Sequence, residues 1–309
     1  MFKLGTLSAL GFAAFAIALP TLPLDGEVFN KTVSLALDGP SKPLTDQTMI
    51  VRAFPEAIDE LSSYVVTLRM MSILALQDYN GEMGRKTLVY DVSPYNLVKL
   101  EVKPTRSPTV TRKVVVNCLF SAIEYIADNG FTHIEFLFVD DDEPTRPLKV
   151  IYTKNNPGNK KTLEARADVV EGDDVTATRA LDLGAVVTAD FSYINNGRTM
   201  TSPEVWLITM STLKVAAMFD KDEQFFHSRV SEVDIDANCE IRGVGGGDTP
   251  PGFTALGLIT AMWNLPRWMV SQGRLKDVKG VVKYDGSAVG EVVLKKGQSG
   301  PYEVFPHAP

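Results

Sequence analysis

The sequence predicts an α+β fold made of two similar β-α-β-β-α-β-β units, each a ferredoxin-like sandwich with an added strand. Segments with helical and strand periodicity recur in the same order in the two halves of the 309-residue chain. The spacing is regular, since "ILALQD" at 73–78 is matched by "VAAMFD" at 215–220. Because strand-to-strand connections are short, we expect antiparallel sheets with helices on one face. The units are expected to pack sheet to sheet or to share one sheet.

The first unit spans residues 19–155. Acidic residues open its first helix and Gly81 ends it, while Asn129 and Gly130 end the second helix. Its strands are short runs rich in β-branched and aromatic residues. The predicted elements are a strand at 32–37, a helix at 55–81, strands at 86–92 and 96–102, a helix at 109–130, and strands at 132–139 and 148–152.

A polar stretch at 156–183 is predicted as a linker to the second unit, 184–300, and residues 301–309 are predicted as a tail. The first helix of this unit is expected to have Ser202 as its N-cap and Pro203 at its first position. The predicted elements are a strand at 185–194, a helix at 202–222, strands at 227–235 and 238–244, a helix at 251–273, and strands at 277–284 and 290–296.

Residues 1–18 have the order of regions that is typical of a secretory signal peptide. Lys3 precedes an apolar run at 4–19, "AIA" at 16–18 matches the small-x-small cleavage pattern, and Pro20 stops the helix. The run is shorter than the roughly 20 residues that cross a bilayer. We therefore predict cleavage and an extracellular protein; a retained anchor and a buried N-terminal helix are the alternatives.

The composition predicts an acidic protein. Its net charge is −7, and loss of Lys3 would leave 30 basic and 38 acidic residues, a net charge of −8. An acidic surface matches nucleic acid and anionic lipid poorly, so neither is expected as a partner. No later stretch of the sequence is long and apolar enough to span a bilayer, so no stable membrane insertion is expected after signal cleavage. Asn30, in the sequon Asn-Lys-Thr, is the predicted glycosylation site in a eukaryotic secretory pathway.

The two cysteines, Cys118 and Cys239, both lie at inward positions, one on a helical face and one on an alternating strand. In an oxidising compartment two such cysteines can pair, so a disulfide is one interpretation. The alternative is two buried thiols that act as small hydrophobes, and it is favoured because the sequence does not show that the two sites meet. Two Cys and three scattered His are too few for a zinc site, and no cofactor is predicted.

Four consecutive acids, Asp140 to Glu143, follow the strand-like run "FLFV". The equivalent connection in the second unit is "DGSAVG", a plain turn, so the acids are predicted as the tip of a hairpin. Clustered carboxylates also suit hard cations. Asp140, Asp142 and Glu143 are therefore candidate metal ligands, although the segment lacks the spacing and glycine of a calcium loop.

Large apolar side chains crowd the last predicted helix. Met262, Trp263, Trp268 and Met269 recur at helical spacing, which is typical of a core. Trp and Met are also favoured at interfaces, so these four are the candidate contacts for a ligand or partner. If the two units pack together, the seam is expected at this helix.

The sequence contains no recognisable catalytic motif, which favours a secreted binding or interaction protein. Its expected partner is an unknown protein or a small apolar ligand, and a homo-oligomer is also considered. The alternative is an extracellular, hydrolase-like enzyme with a dispersed active site. In that case His133 or His227 should lie within hydrogen-bond reach of a carboxylate in a cleft.

Overall fold

The computed structural model describes residues 29–33, 47–83, 87–104, 110–140, 148–155, 178–179, 186–225, 227–232, 234–243, 252–297 and 303–304. The first unit contains β1 (Phe29–Val33), β2 (Gln47–Ala57), α1 (Glu60–Ala75), β3 (Leu88–Tyr90), β4 (Val98–Pro104), α2 (Arg112–Asn129), β5 (Thr132–Asp140) and β6 (Leu148–Lys154). The remaining elements are β7 (Thr178–Arg179), β8 (Val186–Tyr193), α3 (Ser202–Ala216), β9 (His227–Ser231), β10 (Ala237–Gly243), α4 (Ala255–Ser271), β11 (Val278–Tyr284), β12 (Ser287–Lys296) and β13 (Glu303–Val304).

The strands form two fully antiparallel sheets, one in each unit. The first has the order β1-β2-β5-β6-β4-β3, and the second has the order β13-β9-β10-β12-β11-β8-β7. Five strands and two helices are common to both units, and the strand added to the β-α-β-β-α-β pattern, β6 or β12, lies in the middle of its sheet. The predicted fold class and the two similar halves are confirmed. Of the short edge strands, β7 lies within the predicted linker and β13 within the predicted tail.

The two units match in detail as well as in strand order. The N-cap side chain of each helix accepts a hydrogen bond from the backbone N–H three residues later, at Asp59 and Thr111 in the first unit and at Thr201 and Thr254 in the second. A β-bridge before the second helix also recurs, between residues 82 and 111 and between residues 224 and 254. The capping hydrogen bonds and the bridge are thus repeated in the two units, although the units share few identical residues.

The units pack helix layer against helix layer, so the expected sheet-to-sheet or continuous-sheet arrangement is wrong. Helix α1 contacts α3 and α4, and α2 contacts α3; we call this contact between the two helix pairs the seam. The reason is visible in α1, where residues 62–68 are all buried, because the helix packs on its own sheet and on the other unit. The last helix, α4, lies at the seam as predicted.

The centre of the seam is a stack of two equivalent side chains. Tyr64 and Trp206 each lie five residues after their N-cap, and their rings are 5.6 Å apart with planes 1° from parallel. Around them, Arg69 of α1 lies over the ring of Trp263 in α4, and Lys214 of α3 lies over the ring of Phe120 in α2. The stack of equivalent side chains at the centre is typical of the isologous interface of a symmetric dimer, whereas the two cations around it are not at equivalent positions.

Several predicted boundaries need correction. The strand before α1 is β2 at 47–57 rather than a segment at 32–37, and α1 spans 60–75 rather than 55–81. Helix α3 spans 202–216 rather than 202–222. Pro55 lies in an irregularity of the β2–β5 pairing, where a residue without an N–H is tolerated. In α3 the N-cap is Thr201 rather than Ser202, because Thr201 and Glu204 form a capping box.

Candidate functional site

A surface depression of about 350 Å³ lies beside the last helix, at the edge of the second sheet. Its aromatic wall is formed by Trp268 of α4 and Tyr193 of β8, whose ring centroids are 4.9 Å apart at an angle of 40°. Phe191, two residues earlier on β8, supports the indole from 5.7 Å. Strand alternation explains why Phe191 and Tyr193 face the same helix. Both rings of the wall are only half-buried.

Polar side chains complete this depression. Ser192, Gln272 and Arg274 line it and are exposed. The Tyr193 hydroxyl donates a 2.8 Å hydrogen bond to the carbonyl of Arg274, which fixes the phenol ring against the turn after α4. Burial raises the pKa of Tyr193, and the charge of Arg274 opposes that rise. The phenol therefore stays protonated at neutral pH, and the depression combines an apolar wall with a neutral and cationic polar rim.

The structure separates the four residues predicted as contacts. Met262 and Met269 are fully buried in the core, and Trp263 is 5% exposed at the seam. Only Trp268 reaches the depression. The indole of Trp263 instead packs between helices, with the guanidinium carbons of Arg69 and Arg267 at 5.1 and 4.5 Å from its ring centroid. Helical periodicity predicted that these side chains belong to the core, but it could not show which of them lines the surface depression.

Cys118 and Cys239 do not form the disulfide that was one interpretation of the sequence. Cys118 and Cys239 are both buried thiols, because Cys118 lies in α2, Cys239 lies in β10, and α3 packs against both elements. The side chain of Cys239 interacts instead with Thr212 of α3. Burial raises the pKa of Cys118 well above its usual range and raises the pKa of Cys239 to about 12. Both sulfurs are therefore protonated at neutral pH, as in the alternative of two small hydrophobes.

Several predicted features fall wholly or partly outside the described residues. The signal peptide, Asp142 and Glu143 are outside them, while Asp140 is the last residue of β5 and Asn30 lies in β1. Strands β5 and β6 are antiparallel neighbours, and residues 141–147 between them lie outside the described residues. The metal-ligand and glycosylation assignments stay predictions. Among the described residues no group of three His, Cys, Asp or Glu side chains could hold a metal ion.

His133 does not form a hydrogen-bonded acid–base pair with a carboxylate in the described part of the chain. His133 stacks on Phe54, and its Nδ1 lies 3.9 Å from Oε2 of Glu56, beyond hydrogen-bond distance. Glu56 is half-exposed, and the pair lies on a strand face rather than in the depression. His227 is the exposed first residue of β9. His307 lies outside the described residues.

A charged cluster on the outer face of the second sheet was missed by the sequence reasoning. Glu240 of β10, only 7% exposed, accepts a 2.7 Å hydrogen bond from Arg229, bonds to Arg242, and lies 3.4 Å from Lys295. Burial alone would raise the pKa of Glu240, but the hydrogen bond from Arg229 and the charges of Lys295 and Arg242 outweigh it and lower the pKa. Glu101 of β4 has the same position in the first sheet, between Lys99 and Lys103.

Helices α1 to α4, which are all the helices in the described ranges, are too short or too polar to cross a bilayer. No protein-family model matches the chain, and no curated protein matches it in sequence. Among solved structures it is similar to the tandem DUF26 ectodomain of the Arabidopsis thaliana cysteine-rich receptor-like protein PDLP8, at 5% identity and a TM-score of 0.23, with 80% of this chain and 96% of that chain covered. That TM-score is too low to support an argument about function.

Proposed function

We propose that the protein is a secreted, non-catalytic binding protein that holds a small ligand in the depression between Trp268 and Tyr193. The observation that supports this is the pairing of two half-exposed aromatic rings with a polar rim, in a space of about 350 Å³. Small-ligand sites usually have this size and this mixture of apolar surface and a few polar groups. A ligand that covers two aromatic rings exposed to water also gains binding free energy from the apolar surface that it buries.

The ligand class follows from the lining. One face of the ligand must be apolar to pack on the indole and phenol rings, and its edge must be polar to meet Ser192, Gln272 and Arg274. A pyranose sugar has this division between an apolar ring face and hydroxyl groups at the edge. A flat aromatic alcohol shares part of it, and it is the nearest competing ligand.

The three tryptophans allow a direct test. Trp206 and Trp263 are 1% and 5% exposed, so only the indole N–H signal of Trp268 should respond to a ligand in the depression. The ¹⁵N-labelled full chain is titrated with glucose, galactose, mannose, N-acetylglucosamine and phenol. We expect at least one probe to shift the Trp268 signal in a saturable way.

Matched variants identify the site. Tyr193→Ala, followed at the Trp268 indole signal, and Trp268→Ala, followed at the backbone N–H signal of Tyr193, should each weaken binding at least about tenfold, since each removes one ring of the aromatic wall. Trp263→Phe, on the same helix, should leave the affinity unchanged. The proposal is rejected if no probe moves the Trp268 signal up to about 50 mM, which corresponds to an affinity weaker than the millimolar range. Shifts confined to Trp206 or Trp263 would reject it as well.

A further inference from the structure

The aromatic wall of the depression is specific to the second unit. Cross-strand pairing shows which residues are equivalent, since each sheet has a row of four paired residues that ends one position before the equivalent glutamate, Glu101 or Glu240. The rows are Ala53, Ile134, Tyr152 and Leu100 in the first unit and Tyr193, Val278, Leu294 and Cys239 in the second. Tyr193 therefore takes the place of Ala53, so one ring of the wall stands where the first unit has a methyl group.

The turn beside this wall is one residue longer than its counterpart in the first unit. Gly130 and Gly273 are equivalent, since each lies nineteen residues after the N-cap of its helix. Phe131 and Leu275 are the next equivalent pair, because the carbonyl of each accepts a hydrogen bond from the residue just before the first N-cap of its unit. Gly130 and Phe131 are adjacent, whereas Arg274 stands between Gly273 and Leu275. Arg274 is therefore the additional residue, and it lines the depression.

The backbone of Arg274 is held on both sides by hydrogen bonds. Its N–H donates a 3.2 Å hydrogen bond to the carbonyl of Met269, and the N–H of Gly273, at a φ of 64°, donates one of 2.9 Å to the carbonyl of Val270. This pair of bonds is the Schellman ending of a helix. The carbonyl of Arg274 accepts the 2.8 Å hydrogen bond from the Tyr193 hydroxyl. A ligand therefore meets a side chain whose main chain is already ordered, which lowers the entropy cost of binding.

Arg274 alone gives the depression a charge. The other described residues that line it are all uncharged: Ser192, Tyr193, Trp268 and Gln272. The positive charge reaches the wall, since it opposes the rise that burial causes in the pKa of Tyr193. None of the ion pairs between described residues uses the guanidinium of Arg274. An anionic ligand would thus meet one cation there and no lining carboxylate.

We propose that the depression selects a pyranose that carries a carboxylate, a hexuronic acid, and that Arg274 is the residue that determines this specificity. The sugar ring packs on Trp268 and Tyr193, and its carboxylate, at the edge of the ring, faces Arg274. A planar guanidinium matches a planar carboxylate through two parallel charge-assisted hydrogen bonds, which a neutral sugar cannot form. This inference rests on the proposed function, because it concerns the same depression and adds the charge of its ligand.

The test compares galacturonate with its methyl ester, which has the same ring and no charge, and with galactose. The ¹⁵N-labelled full chain is titrated with each at constant ionic strength, and the indole signal of Trp268 is followed. We expect galacturonate to bind roughly 3- to 30-fold more tightly than the ester, a range between an exposed ion pair and a charged hydrogen bond. This advantage should shrink as sodium chloride is added, because salt screens the attraction.

Variants assign the preference to one side chain. Arg274→Gln keeps the backbone hydrogen bonds and removes the charge, so the ratio of the two affinities should fall to about one. Arg274→Lys keeps the charge without the planar fork, and its ratio should lie between those of the native chain and Arg274→Gln. Lys276→Gln is the matched control, since Lys276 is exposed, lies two residues later and does not line the depression; it should keep the full ratio.

The outcomes separate this inference from the proposed function. If galactose binds but galacturonate binds no more tightly than its ester, the carboxylate is not recognised, and only the inference is overturned. An equal fall of the ratio in Lys276→Gln and Arg274→Gln would also overturn it, because the preference would then come from the net charge of the surface. If neither the acidic nor the neutral sugars shift the Trp268 signal, the proposed function itself fails.

Discussion

Truncation of Trp206 to alanine is expected to destabilise the chain by about 3 kcal/mol. The indole is 1% exposed, at the centre of the seam, and its truncation alone costs about 3–5 kcal/mol through lost burial and the cavity left behind. Loss of the parallel stack with Tyr64 adds about 0.5–1.5 kcal/mol. The indole N–H has no hydrogen-bond partner among the described residues. Its removal therefore offsets about 1–3 kcal/mol of this destabilisation.

The assay is equilibrium unfolding in urea followed by far-ultraviolet circular dichroism, which does not depend on the fluorophore being removed. Trp268→Ala is the matched control, since it removes the same side chain from a half-exposed position and should cost about 1 kcal/mol. Trp206→Phe keeps a ring for Tyr64 and loses only the buried N–H and part of the volume, so it should cost less than Trp206→Ala. Equal losses in Trp206→Ala and Trp268→Ala would refute the assignment of the seam as the stabilising contact.

Three further predictions concern the sheets and the core. Glu240→Gln should cost about 1–3 kcal/mol in urea unfolding at pH 7, and the control Glu291→Gln, on a more exposed pair with Lys279, less than about 1 kcal/mol. Because folding lowers the pKa of Glu240, its stabilisation is present above about pH 4.3 and is lost as the pH falls through the folded pKa, so the difference between native chain and variant should shrink in acid. Gly290→Ala should cost about 1–3 kcal/mol of unfolding free energy, since the added methyl group would overlap the ring of Phe253. In the control Gly257→Ala the methyl group would lie 3.3 Å from the same ring, and the higher helix propensity of alanine should make the change nearly neutral. The two thiols should react with Ellman's reagent only after unfolding, when two per chain appear.

Each of these has a result that would contradict it. A Glu240→Gln penalty that stays constant down to pH 3 would show that the carboxylate does not titrate as its ion pairs require. Equal penalties for Gly290→Ala and Gly257→Ala would show that contact with Phe253 does not limit either position. A thiol that reacts rapidly in the folded chain would contradict the burial of Cys118 or Cys239.

The sequence was sufficient where the deciding interactions are local. Helical periodicity, cap residues and the regular spacing of the two units predicted four helices, two antiparallel sheets and a seam at α4. The start of α1 was wrongly predicted at Pro55, because proline is common both at the start of a helix and at an irregular strand position. Pairing with β5 decides between helix and strand there, and that pairing is not visible in the local sequence.

What could not be predicted depends on side chains that are far apart in sequence. Nothing in the segment "LPRWMV" indicates that Trp268 meets Tyr193, because this contact follows from how the helix layer packs on the sheet. The cysteines show the same limit. Alternation and helical period placed both sulfurs inward, but neither pattern could show that α3 lies between their elements.

The stack of Tyr64 on Trp206 has a consequence for how this chain can change over time. In a dimer of identical subunits every substitution at the contact is made twice, so a residue on the symmetry axis always faces its own copy. Joining the two copies in one polypeptide removes that restriction, and each copy can change alone. A tyrosine can then face a tryptophan, and an arginine can lie over Trp263 in one half of the contact while a lysine lies over Phe120 in the other. Divergence between the halves can therefore change one side of the contact without loss of the original packing.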